Sequence, residues 1–139
     1  MFGVINLLKG DSHFQFIKRL NSDCFIQFLK ALIKLYGSSK RILLFTDNAS
    51  AHKSKKVSDF LSSLKGKLEL VYLPPYSPDL NPIERVWREV KKEVVYNTFY
   101  RYFDDFKGAL TKSLRNFRGN RVLSICGMMN NRIGGMCTN

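Results

Sequence analysis

Residues 2–9 (FGVINLLK) and 13–19 (HFQFIKR) are runs of β-favouring side chains, and the cluster Gly10, Asp11 and Ser12 between them predicts a hairpin. Asn21, Ser22 and Asp23 then form a capping cluster, after which Phe25, Phe28, Leu29, Leu32 and Tyr36 recur at helical spacing as far as Gly37, Ser38 and Ser39. Residues 41–46 (RILLFT) are a nearly continuous apolar run, the pattern of a strand covered on both faces, and they lead straight into Asp47. Val57, Phe60, Leu61 and Leu64 mark one helical face between Ser50 and Leu64, and residues 68–73 (LELVYL) predict a second buried strand.

All four prolines fall in one window, PPYSPDLNP, as Pro74, Pro75, Pro78 and Pro82. Beyond it Asn81 can cap a helix and Pro82 can occupy its first position, where the missing N–H is no loss. Ile83, Val86, Trp87, Val90 and Val94 then step by three and four along one face. Phe99, Phe103, Phe106, Leu110, Leu114 and Phe117 predict a further helix over about 99–118. From 120 to 139 glycine, asparagine and methionine recur without period, which predicts a loosely ordered tail behind one domain at 1–119. Strands alternating with helices predict an α/β fold, a mixed sheet flanked by helices with a parallel portion.

Composition adds a sign to this outline. The chain has 139 residues with 23 Lys+Arg against 11 Asp+Glu, a formal balance of +12, while 45% hydrophobic residues exclude a disordered basic tail. A polyanion is the partner that such a balance favours, through phosphate neutralisation and counterion release. Lys53, Lys55 and Lys56 oppose the dipole of the helix they open, so they suit either an anion or a solvated face. Cys24, Cys126 and Cys137 are odd in number and widely spaced, supporting neither a disulfide framework nor a zinc knuckle. No apolar run approaches membrane-span length, and MFGVINLLKGD meets an acid too early for a secretory signal, so a soluble cytoplasmic protein is expected.

Two acids could carry chemistry. Asp47 leaves the end of a buried strand, where polar groups in α/β sheets usually form sites, and where a carboxylate can be held rigidly with one face to solvent. The same residue, followed by Asn48 and Ser50, also suits an Asx turn or a cap. Glu84 stands in the first turn of the helix opened by Pro82, where it could cap, favour the dipole, or turn its carboxylate toward the sheet edge. Two carboxylates sharing a cation are what two-metal phosphoryl transfer requires. Trp87 falls on the apolar stripe and is expected in the core.

The segments TDNASAHKS and LPPYSPDLNPIERVWREVKK resemble the catalytic core of DDE transposases in the insertion-sequence branch of the mariner-type superfamily. The resemblance matches Asp47 to the second catalytic acid and Glu84 to the third, 84 − 47 = 37 positions apart. It implies an RNase H-like fold, Mg²⁺ or Mn²⁺ held by Asp47 and Glu84, and DNA partners at transposon ends and target. Asn48 and His52 match the motif, with supporting or phosphate-contacting roles implied; for His52 a local hydrogen bond at a helix start is an equal reading. Lys53, Arg88 and Lys91 are further candidate DNA contacts, as are Tyr76 and Ser77, for which packing within the loop is the safer expectation.

One departure tempers the match. The family's first acid lies on a first strand preceding the segment that FGVINLLKG resembles, and neither Asp11 in a turn nor Asp23 at a cap can replace it. The expectation is therefore a partial domain without its central strand, incomplete as a nuclease unless a separately encoded N-terminal segment supplies the strand, with a homodimer as a further possibility. The alternative is a non-catalytic nucleic-acid-binding remnant.

Overall fold

A computed structural model of the chain describes residues 1–37, 40–96 and 98–127. The elements are β1 (Phe2–Ile5), β2 (Ser12–Gln15), α1 (Ser22–Tyr36), β3 (Ile42–Thr46), α2 (Lys55–Ser63), β4 (Leu68–Tyr72), α3 (Pro82–Val94), α4 (Phe103–Arg115) and α5 (Asn120–Ile125). Strands β1 and β2 form one two-stranded sheet, and β3 and β4 form another. The backbone divides into two compact units, residues 1–2 with 15–81 and residues 3–14 with 82 onward. Among the described residues no helix is long and apolar enough to cross a membrane.

The first unit is built around α1. Asn21 caps this helix by accepting the Cys24 N–H at 2.8 Å, and Phe25, Phe28, Leu29 and Leu32 make its buried stripe, as the spacing predicts. The Phe2 ring packs on Phe25 and Phe28 with centroids 5.6 and 5.2 Å away. Strands β3 and β4 run parallel, with Ile42 opposite Leu68 and Thr46 opposite Tyr72. The expectation of two covered faces fails for β3: Leu44 and Thr46 turn inward, whereas Leu43 is 54% and Phe45 56% exposed. A short apolar run shows that a strand is present but not how many of its faces are covered.

The predicted helix over 50–64 is two pieces. A 3₁₀ turn at Ser50–Lys53 stops where Ser54, extended at ψ 154°, becomes the N-cap of α2 and accepts the Val57 N–H. Lys56 pairs with Asp23 at 3.1 Å across the two helix starts, so one of the three lysines suited to an anion or a solvated face has an internal partner.

The second unit gathers the hairpin and the last three helices. Strand β1 ends at Ile5 rather than near residue 9 because the Asn6 side chain accepts the N–H groups of Leu8 and Lys9 and starts the turn early. Strand β2 likewise stops at Gln15, short of the predicted residue 19. Helix α3 opens at Pro82 as expected and buries Val86, Val90 and Val94 against Leu114, Phe117, Val122 and Cys126. Trp87 packs edge-on against Phe14 with centroids 5.3 Å apart, the core role its position on the stripe predicts.

Helix α4 begins at Phe103, not Phe99, with Asp104 and Asp105 in the first turn where the dipole favours them. Residues 120–125, placed by sequence in the loose tail, instead form α5 and bury Val122 and Leu123; residues 128–139, with Cys137, lie outside the described residues. Burial pushes the Cys126 thiol up, opposed by the Arg85 charge, so this cysteine is an apolar core group. Glu93 ties the three helices together, accepting from Ser113 at 2.6 Å and from Arg121. Burial alone would raise its pKa, but these bonds and the Arg121 charge together lower it. The stability that the depressed carboxyl contributes is present above its unfolded pKa and is lost as pH falls through the folded one.

Candidate functional site

Strand β3 delivers Thr46 inward and Asp47 to its carboxyl end. The Asp47 side chain is 64% exposed. Its Oδ1 accepts the Ala49 N–H at 3.1 Å, an Asx turn, and lies 3.0 Å from His52 Nδ1. Both interactions use one oxygen, and Oδ2 has no protein partner among the described residues. The turn-forming and ligand readings of Asp47 are therefore compatible, because each uses a different oxygen.

The neighbours hold this corner in place. Asn48 donates from its amide to the Leu73 carbonyl at 2.5 Å, and the Leu73 N–H donates to the Thr46 carbonyl at 2.9 Å, so the ends of β3 and β4 are cross-linked around Asp47. His52 is buried at 6% exposure, with Thr46 Oγ1 3.1 Å from Nδ1. The Tyr72 hydroxyl donates to the His52 carbonyl at 2.9 Å; burial pushes its pKa up, so the phenol keeps the proton it donates. Lys53 sits with Nζ 5.1 Å above the Tyr72 ring.

Thr46 and Tyr72 were not among the sequence candidates. The inward alternation of Leu44 and Thr46 was a usable sign, since a hydroxyl on a buried strand face needs a partner.

The proline loop follows β4. Tyr76 has φ 55°, unusual for a bulky residue, and is 103% exposed, so the expected packing within the loop is not what this side chain does. Ser77 is turned back on the loop, its hydroxyl donating to the Pro75 carbonyl at 3.2 Å. Glu84, Arg88 and Lys91 stand on α3 in the second unit, at i, i+4 and i+7 along one exposed helix face. Among the described residues Glu84 makes no hydrogen bond or ion pair, so its carboxylate is not spent on a cap.

Hard oxygen donors of this kind suit Mg²⁺ or Mn²⁺, which take one or two carboxylates and complete their shell with water and substrate phosphate. Among the described residues no three His, Cys, Asp or Glu groups form a protein cage. The free Oδ2 of Asp47 fits such an ion as one hard donor.

The model of the family described as DDE superfamily endonuclease matches residues 1–107, a span that includes Asp47 and Glu84. The chain belongs to this family. Among relatives of this DDE endonuclease domain, an IS630 insertion-element protein of 39 kDa from Shigella sonnei is 35% identical over 77 residues, covering 55% of this chain and 22% of that protein. The Tc3 transposase of Caenorhabditis elegans is 30% identical over 125 residues, covering 86% of this chain and 37% of the transposase.

The catalytic domain of Mos1 mariner transposase superposes with a TM-score of 0.66 at 17% identity, over 88% of this chain and 64% of that one. Mos1 in a paired-end complex with the left transposon end gives 0.65 at 19% identity, over 83% and 34%. The mixed α/β fold of this DDE endonuclease domain is accordingly the RNase H-like fold that the motifs implied. The chain spans well under half the length of either the Shigella or the Caenorhabditis relative.

Proposed function

We propose that this chain is part of a transposase catalytic domain that cleaves and joins DNA at transposon ends by metal-dependent phosphoryl transfer. Asp47 and Glu84 are its metal-binding carboxylates. The observation that carries this reading is the Asp47 corner, where one carboxylate oxygen is held by the protein and the other is left to solvent, inside the span matched by the family. When bound, a divalent ion of the kind this superfamily generally uses activates the attacking oxygen and neutralises charge on the leaving one.

The side chains divide the remaining work. Asp47 presents Oδ2, and Glu84 brings an unspent carboxylate from α3. Asn48 fixes the strand ends by bonding a backbone carbonyl rather than a phosphate. Lys53, Arg88 and Lys91 are exposed cations that neutralise the DNA backbone. The chain works on cytoplasmic, nucleoid DNA, as a homodimer and with a strand and a third carboxylate supplied by a segment outside residues 1–139. That last reading is supported by β3 pairing on one side only and by the absence of a three-donor group among the described residues.

Calorimetric titration of the whole chain with MnCl₂ tests the metal assignment. Asp47→Ala and Glu84→Ala are each expected to weaken the binding heat by at least about tenfold, while the chain alone joins no labelled DNA ends. An unchanged isotherm in both variants would remove the two carboxylates from the assignment. The same missing third donor also favours a second reading, a DNA-binding remnant. That reading expects salt-sensitive DNA affinity that both substitutions leave unchanged or slightly tighten.

Tyr76 separates DNA contact from stability. Glycine at this left-handed position relieves strain of about 1 kcal/mol and gains a similar unfolded-state entropy cost, so Tyr76→Gly is expected to leave the melting temperature within a few degrees. Losing a base-stacking ring should weaken single-stranded DNA binding by about tenfold in fluorescence anisotropy. Equal affinities would mean the ring does not touch the strand.

A further inference from the structure

Strand β4 pairs with β3 along one side only, and the ladder fixes the chemistry of its other side. The Lys67 carbonyl accepts the Ile42 N–H at 2.8 Å, and the Leu73 N–H donates to the Thr46 carbonyl at 2.9 Å. Because the main-chain groups of successive strand residues point to opposite edges, Glu69 and Val71 also address β3. The N–H and C=O groups of Leu68, Leu70 and Tyr72 therefore point outward, and none has a partner among the described residues. We propose that this edge is a docking site for an extended acidic peptide of a partner protein, which adds to the sheet as a further strand. The site involves neither Asp47 nor Glu84, and it stands whether or not they hold a metal.

Beside the edge there is room for side chains. An open groove of about 550 Å³ lies between β4 and α2, lined by Val57, Leu61, Leu68 and Leu70 with Ser54 and Ser58. Side chains alternate along a strand, so Leu68, Leu70 and Tyr72 share one face, and an added strand sets every second side chain beside them in the groove. Sheets ordinarily protect a bare edge with a proline, a bulge or an inward charge. Strand β4 has none of these: it pairs residue for residue with β3, and its one charge, Glu69, alternates away from Leu68 and Leu70 and is held by Arg41.

The same groups say what fits. Donors and acceptors alternating at strand spacing match another main chain. A phosphodiester backbone offers acceptors only, so the three outward carbonyls repel it. Cations stand at both ends of the edge, Lys53 with Nζ 5.1 Å from the Tyr72 ring, and Lys65 and Lys67 just before Leu68. None of the three is in an ion pair among the described residues, so acids flanking the added strand complement them. A second copy of this chain, itself at +12, meets these lysines with the wrong sign.

The probe is a fluorescein-labelled peptide alternating valine with threonine between acidic ends, titrated against the full chain in fluorescence anisotropy. Saturable binding is expected, and so is its loss when either the valines or the threonines are N-methylated, since one of the two sets carries the N–H groups that face β4. N-methylation leaves the charge unchanged, so general attraction to a basic chain survives it. Leu70→Pro removes an outward N–H without touching the ladder to β3, and is expected to weaken binding at least about tenfold. Leu70→Ala, which keeps that N–H, is expected to cost about threefold at most.

No binding of the acidic peptide overturns the proposal, as does equal binding of a counterpart with lysine ends or of both N-methylated forms. If Leu70→Pro does not fold by circular dichroism, the N-methylated peptides decide. Hydrogen exchange at the Leu68, Leu70 and Tyr72 amides separates the other occupants. Protection by oligothymidylate but not by the peptide assigns the edge to nucleic acid, and protection that grows with protein concentration alone assigns it to a second copy; either result rejects the acidic peptide.

Discussion

Phe117→Ala is expected to destabilise the second unit by about 3–5 kcal/mol, enough to unfold a marginal domain. Phe117 follows α4 and is among the largest fully buried side chains. It is clustered with Val86, Val90 and Val94 of α3, Leu114 of α4 and Val122 of α5, so truncation opens a void that three helices share. The Arg121 guanidinium lies 4.3 Å from the ring centroid, so a cation–π contact is lost with the ring. The lone tryptophan, Trp87, is packed in the same unit against Phe14 and reports its unfolding in urea. A midpoint equal to that of the wild type would show that the three helices do not close on this ring. Phe117→Leu, which keeps most of the volume, is expected to lose only about 1–2 kcal/mol.

Gly10→Ala is expected to cost about 2–4 kcal/mol in the same assay, more than the change of one methyl group ordinarily does. Gly10 has φ +77°, and an added Cβ would stand 2.6 Å from the Gly119 carbonyl oxygen. The Gly119 N–H donates to the Gly10 carbonyl at 2.9 Å, so the two backbones meet with no room for a side chain. Gly66→Ala, followed by circular dichroism because Gly66 lies in the first unit, is the comparison that separates the two contributions. Gly66 has φ +80° but nothing within 4 Å of the added atom, and should show the backbone strain alone, about 1 kcal/mol. Equal losses at the two positions would mean that the close approach at Gly10 contributes nothing.

Much of the architecture is legible where local chemistry and long-range packing agree. Asn21 caps α1, Pro82 opens α3, and the stripe of Val86, Val90 and Val94 is buried as its spacing demands. Helix α5 escaped notice because six residues are less than two turns, too few for a period to register, and its burial depends on helices far away in sequence. The exposed face of β3 was hidden for a related reason, since Leu43 and Phe45 read like Leu44 until their neighbours are known. Asp47, Asn48 and His52 could be picked out from one motif, but their division of labour could not. That Asn48 bonds Leu73 and His52 faces Asp47 depends on the parallel pairing of β3 with β4 and the 3₁₀ turn, and neither leaves a mark in composition.

The discontinuity of the second unit bears on the order in which this chain can acquire structure during synthesis. Residues 15–81 of the first unit leave the ribosome as one run, whereas residues 3–14 belong with partners that begin at Pro82. Ser12 reaches its acceptor on Phe117 only after 105 further residues have been made. Through that interval the hairpin's apolar side chains, Ile5 and Phe14 among them, are without the cluster that later covers them. At ordinary elongation rates the delay is on the order of 5–20 seconds, a window in which a chaperone or a second nascent copy competes for the same surface.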